Sequence, residues 1–136
     1  MNQGYRDLEV YNLAHRLGVD MHEFSLKMPK YELYEIGSQL RRASKSISAN
    51  IVEGYGRKRY KAEFSKFLTY SLASCDETAE WIRYVKDCHP DLSEQAKIML
   101  IAVDELGRKL NNFLKAIEAS HLSSKTPANQ HPETRI

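Results

Sequence analysis

Phe64–Val85 reads FSKFLTYSLASCDETAEWIRYV, with apolar or small residues at Phe64, Leu68, Ser71, Cys75, Thr78, Ile82 and Val85. Alternating fours and threes average about 3.5 residues, which keeps one stripe on one face of a helix, whereas a half-buried strand alternates every two. The spacing recurs along the chain. Val10, Ala14, Leu17, Met21, Phe24 and Met28 form a first stripe, and Ile36, Leu40, Ala43, Ile47 and Ile51 a second. Ala96, Met99, Val103, Leu106, Leu110, Phe113 and Ile117 form the last. Four such stripes can bury one another, so the expected fold is all-α, a four-helix bundle. Short connections between long helices favour antiparallel neighbours and an up-down-up-down topology.

Punctuation between the stripes agrees. Asp7 is the expected cap of the first helix, with Leu8 opening it, and Pro29 opposes continuation past Met28. Lys30–Leu33 then connects to a second helix ending near Glu53-Gly54, where Gly54 and Gly56 can supply left-handed exit conformations. The third helix is expected to start around Tyr60 and stop at His89-Pro90. Asp91 and Glu94 have the spacing of a capping box for the fourth. From Ser120 onward the apolar period is lost, so the sequence divides into a bundle domain over 1–119 and a disordered tail over 120–136.

At 136 residues, the chain is long enough to bury a core as one domain. It has no run of about 18 apolar residues, so no membrane contact is expected. Met1–Arg6 lacks the apolar segment of a secretory signal. Cys75 and Cys88 fall on the same expected helix, about 20 Å apart, and cannot pair with each other. Reduced thiols and a cytoplasmic location follow, with no metal or cofactor expected.

The formal net charge of +2 hides a local asymmetry. Arg41, Arg42, Lys45, Arg57, Lys58, Arg59, Lys61 and Lys66 face only Glu53 and Glu63 within their stretch. Asp76, Glu77, Glu80 and Asp87 then outnumber Arg83 and Lys86. Cations at the start of the third helix and anions toward its end oppose the macrodipole, so helix stability alone would not select this order. Arg57, Lys58, Arg59 and Lys61 beside a helix N-terminus make a candidate anion site, with Tyr55 and Tyr60 placed to stack on bases. Nucleic-acid contact, a solvated basic loop, and a salt-bridged subunit surface all fit this run. On the second helix, Gln39, Arg42, Ser46, Asn50 and Glu53 recur as a polar stripe, with Glu53 placed to hold Arg57. Serines at 38, 44, 46 and 48 keep that helix thin enough for close approach of another backbone.

Several of these segments match a known pattern. Tyr5-Arg6-Asp7-Leu8-Glu9-Val10-Tyr11 resembles the opening of the bacterial 23S rRNA intervening-sequence proteins. Gln39-Leu40-Arg41-Arg42-Ala43 is similar to their central motif, and Ser46 through Arg57 to their Ser-Ile-Pro-Ser-Asn-Ile-x-Glu-Gly segment and following arginine. Ser48 stands where that pattern carries proline. The resemblance implies a left-handed antiparallel four-helix bundle that assembles as a homopentameric ring. It singles out Gln39, Arg41, Arg42, Asn50, Glu53, Gly54 and Arg57 as motif positions, for the interface or for RNA.

Catalysis has little support. Arg16…His22 and Arg83…His89 match the arginine-to-histidine spacing of some helical ribonucleases, but chance matches are expected in such a chain. His15 and His22 lie about 10 Å apart on a helix, too far to share a metal. Two Glu-x-x-His motifs, as a di-iron bundle needs, do not occur, and no nucleophile triad appears. The expectation is therefore a non-enzymatic, ring-forming bundle offering RNA or DNA a basic face of Arg41, Arg42, Lys45, Arg57, Lys58, Arg59 and Lys61. The alternative is a structural oligomer or adaptor for a protein partner.

Overall fold

In the computed structural model, residues 4–120 can be described, and they contain four long helices and no strand. The helices are α1 (Glu9–Ser25), α2 (Ile36–Gly56), α3 (Lys61–Cys88) and α4 (Ser93–Glu118). Each packs on the next, and α1 also packs on α4. The first three stripes form the core almost residue for residue, with Met21, Leu40, Ile47, Ile51, Leu68 and Ile82 fully buried. In α4 the stripe drifts. Leu110 and Leu114 are buried, while Phe113 and Ile117 are only partly so. A straight helix at 3.6 residues per turn slips by about 20° per heptad from a 3.5 repeat, and the last turns take the slip.

Small polar residues bring α2 and α3 together. The Ser71 hydroxyl, fully buried, donates to the Ile47 carbonyl at 2.6 Å, and Ser46 donates to Ser74 at 2.7 Å. Ser44 is also fully buried, so Ser44 and Ser46 serve the inside of the bundle, while Ser48 donates to the Lys45 carbonyl of its own helix at 3.2 Å. Cys75 and Cys88 both lie on α3 as free thiols, the first buried and the second exposed. Burial pushes the Cys75 thiol up to about 12, which keeps it protonated and unreactive at neutral pH.

The helix ends depart from the sequence expectations in four places. Asp7 is not the cap of α1. A 3-10 turn over Gly4–Asp7, begun by Gly4 at φ +69°, leaves Leu8 as the extended entry residue without a side-chain cap bond. Asn12 instead secures the entrance, its amide donating to the Arg6 and Leu8 carbonyls at 3.0 and 3.1 Å. Helix α1 also stops at Ser25, before Pro29 is reached, yet Met28 is still buried in the connection. Asp91 does not form the capping box of α4, because a 3-10 turn over Pro90–Leu92 comes first and Leu92 enters the core. In both caps, packing a leucine against the core outweighs a surface cap bond of about 1 kcal/mol.

The fourth departure concerns Gly54 and Gly56, which are helical, since Gly4 alone among the described residues has positive φ. Gly54 is needed for space. A Cβ there would lie 3.0 Å from the Phe67 Cβ, 3.2 Å from the Phe64 ring and 3.3 Å from the Phe64 carbonyl oxygen. We expect Gly54→Ala to lower stability by about 1–3 kcal/mol through overpacking, despite a gain in helix propensity of about 1 kcal/mol. Urea unfolding would show this, and an unchanged or raised midpoint would refute it.

The expected tail lies outside the described residues except for Ser120, whose hydroxyl donates to the Ile117 carbonyl at 2.7 Å. Among the described residues, no helix is long and apolar enough to cross a membrane.

Candidate nucleic-acid interface

The basic run does not form one continuous face. Arg42 and Lys45 stand on α2 about 20 Å along the helix axis from Arg57, at 1.5 Å per residue. Arg41 is turned inward. Its guanidinium donates to the Ser25 hydroxyl at 2.8 Å and to the Leu33 carbonyl at 2.7 Å, holding the connection between α1 and α2. Lys45 reaches toward α1, with its Nζ 3.0 Å from the His22 Nδ1. Since ammonium is a donor only, Nδ1 accepts this bond and the remaining ring proton sits on Nε2. Arg42 is exposed and meets no carboxylate among the described residues.

Residues 57–61 form the second group, between α2 and α3. Arg57 donates to Glu53 at 2.8 Å and to Glu63 at 3.1 Å, and stacks over the Phe67 ring at 4.9 Å. The Glu53 hydrogen bond, with help from Glu63, raises the Arg57 pKa above its usual value. Glu63 is buried in the first turn of α3 and also receives Lys66 at 3.2 Å. The chain therefore supplies its own anion where the sequence suggested a ligand. Lys61 has a similar internal duty. Its Nζ donates to the Glu118 and Ser120 carbonyls at 3.0 and 3.3 Å, capping the end of α4. A cation misplaced for α3 is thus well placed for the C-terminus of α4.

Lys58 and Arg59 remain. Both are exposed, and neither meets a carboxylate among the described residues. Lys58 donates to the Tyr55 hydroxyl at 2.8 Å and lies 4.0 Å from its ring centroid. Arg59 lies 5.6 Å from the Tyr60 centroid. The 3-10 turn before α1 extends the cluster, with Tyr5 edge-on to Tyr55 at 6.5 Å and exposed Arg6 over Tyr5 at 5.7 Å. Arg6, Tyr5 and Phe67 also belong to this end, beyond the residues that the basic run and its opposing Glu53 and Glu63 brought forward. Only the Tyr5-Arg6 pair, basic beside aromatic, carried a signal. The geometry offers exposed cations beside aromatic rings, a combination that can take phosphates and an unstacked base.

The other motif positions lie along the flank between α2 and α3. Gln39 is exposed, Asn50 donates to the Ser46 carbonyl at 2.9 Å, and Glu53 holds Arg57 as its spacing predicted. Of the arginine–histidine pairs, His89 is buried and its Nε2 is 2.8 Å from a Glu32 carboxylate oxygen. Among the described residues, no group of three or more His, Cys, Asp or Glu can hold a metal ion.

No curated protein matches the chain. The sequence model of the 23S rRNA-intervening sequence protein family, however, matches residues 6–112, from Arg6 beside the basic end through most of α4. That span includes α1, α2 and α3 whole, most of α4, and the motif segments that carried the resemblance apart from Tyr5. This chain belongs to the 23S rRNA-intervening sequence protein family.

Proposed function

We propose that this protein is a non-enzymatic, cytoplasmic assembly module whose basic end binds RNA or DNA. The observation that carries the reading is Lys58 and Arg59, exposed, unpaired with carboxylates among the described residues and each set over a tyrosine. Arg6 adds a third cation from a neighbouring element. The helices run up-down-up-down, a reading supported by contacts of Glu9 with Lys109 and of Lys27 with Gln95. Stripes with a mean spacing near 3.5 support a left-handed bundle. Assembly into a homopentameric ring follows the family resemblance, and the two free thiols support a reducing compartment.

Fluorescence anisotropy with structured RNA, single-stranded RNA and duplex DNA, each at two salt concentrations, tests the reading. Affinity should fall with salt by about 0.7–0.9 log units per decade for each phosphate contact. Lys58→Ala with Arg59→Ala should flatten that slope while leaving unfolding unchanged. These two positions are preferred to Arg57 and Lys61, whose loss would also remove internal bonds. Absence of binding at low salt would overturn the proposal.

A second reading, a structural oligomer or adaptor, draws on the internal commitments of Arg41, Arg57 and Lys61. It is also supported by Ile98 and Ile101, which are 63% and 69% exposed on α4. This reading predicts assembly without nucleic-acid affinity.

A further inference from the structure

Helices α3 and α4 leave a groove of about 630 Å³ along their outer side. Its lining includes apolar Leu72, Ala79, Leu100 and Ile101, while Asp76, Arg83, Asp104 and Arg108 supply charge. Ile101 is exposed despite the cost of hydrating so large an apolar side chain.

Gly107 also lines the groove, in the interior of α4. A glycine there costs about 0.5–1 kcal/mol relative to alanine. Packing among the described residues gives no reason for it, since a Cβ at Gly107 would meet none of their atoms within 4 Å. Gly54, by contrast, is crowded by Phe67 and Phe64. An open glycine beside exposed apolar side chains leaves room for another backbone to approach.

The charges indicate what approaches. Arg108 on the rim is already held by Asp104, and Arg83 lies 3.8 Å from Glu80. Asp76 is exposed, and the outer side of α3 adds exposed Glu77, Glu80 and Asp87. Helix α2 is the opposite, with no Asp or Glu between Ile36 and Val52. Its outer surface shows Arg42 and Lys45 beside exposed Ala49, with Val19 of α1 nearby across the Gly18–Lys45 contact and 47% exposed. One chain thus carries an apolar groove between α3 and α4 with Asp76 on its rim outside any ion pair among the described residues, and a basic patch of Arg42 and Lys45 on α2 beside Val19 and Glu23 of α1.

We propose that the α3–α4 groove receives the α1–α2 face of a second copy of this chain. Arg42 and Lys45 meet Asp76 and Asp104, and Val19 and Ala49 lie over Ile101 and Gly107. This interface is heterologous, since different surfaces of the two copies meet. The inference rests on the reading that the chain self-assembles, and it names the seam.

Sedimentation velocity of the full chain tests it. The wild type should sediment as an assembly. Gly107→Leu should fill the groove and give a monomer with unchanged helical circular dichroism and a cooperative unfolding transition that no longer depends on protein concentration. Should that variant unfold, a charge exchange decides alone. Chains carrying Arg42→Glu with Lys45→Glu, or Asp76→Lys with Asp104→Lys, should each stay monomeric, yet associate when mixed. Assembly of Gly107→Leu at wild-type strength, or no association on mixing, would overturn the seam while leaving self-assembly intact. A monomeric wild type would overturn both.

Discussion

Replacing His89 with alanine should lower the unfolding free energy by roughly 3–5 kcal/mol, the usual cost of leaving a buried charge without its partner. His89 and Glu32 are 5% and 8% exposed, so little water can replace the lost contact. The imidazole Nε2 lies 2.8 Å from the Glu32 carboxylate, which accepts its proton in the hydrogen bond. This pair ties the 3-10 turn at Lys30–Glu32 to the residue that ends α3. The Tyr31 ring covers it from outside, with centroids 6.3 Å apart. Urea unfolding at fixed protein concentration would show a lowered midpoint with little change in slope. Replacing both partners with apolar residues, Glu32→Leu with His89→Phe, should recover most of the loss, because no buried charge remains. A loss below about 1 kcal/mol for His89→Ala would mean that water reaches Glu32 and would refute the buried clasp.

Arg41→Ala should cost roughly 2–4 kcal/mol of stability and leave nucleic-acid affinity per folded molecule unchanged. Each hydrogen bond to a charged group is worth about 1.5–3 kcal/mol, and Arg41 makes two across the connection between α1 and α2. Ser25 extends the chain of bonds, accepting from Arg41 while its own hydroxyl donates to the His22 carbonyl at 2.7 Å. Removing the guanidinium leaves the Leu33 carbonyl without this donor in a partly buried place. Lys58→Ala with Arg59→Ala should give the reverse pattern, normal unfolding with a flattened salt dependence. Unfolding and anisotropy measurements on the two variants separate a basic residue that builds the fold from basic residues that offer charge to a ligand. A loss of affinity in folded Arg41→Ala would refute the division.

That division marks the limit of what could be read from the chain. Apolar stripes are local, because the 3.6-residue turn places neighbours three and four apart on one face whatever the rest of the chain does. Four helices, their buried faces and the separation of Cys75 from Cys88 were therefore legible from residue spacing. So was the Glu53–Arg57 pair, at i and i+4 on one helix. The helix caps were not, because Asp7 and Asp91 have favourable local chemistry, and it is the placing of Leu8 and Leu92 against the core that moves the helix starts.

Cation duties were even less accessible. Lys61 caps a helix whose end lies 57 residues away, and Arg41 bonds to a serine 16 residues back. Packing also gave Gly54 and Gly107 different roles, since the first touches phenylalanines of α3 and the second faces open space. The helices and the faces they bury follow from residue spacing alone, because periodicity acts within a few residues. Which charges work inside the protein and which stand free emerges with the packing of the helices, because a charge's partner is whatever that packing brings beside it.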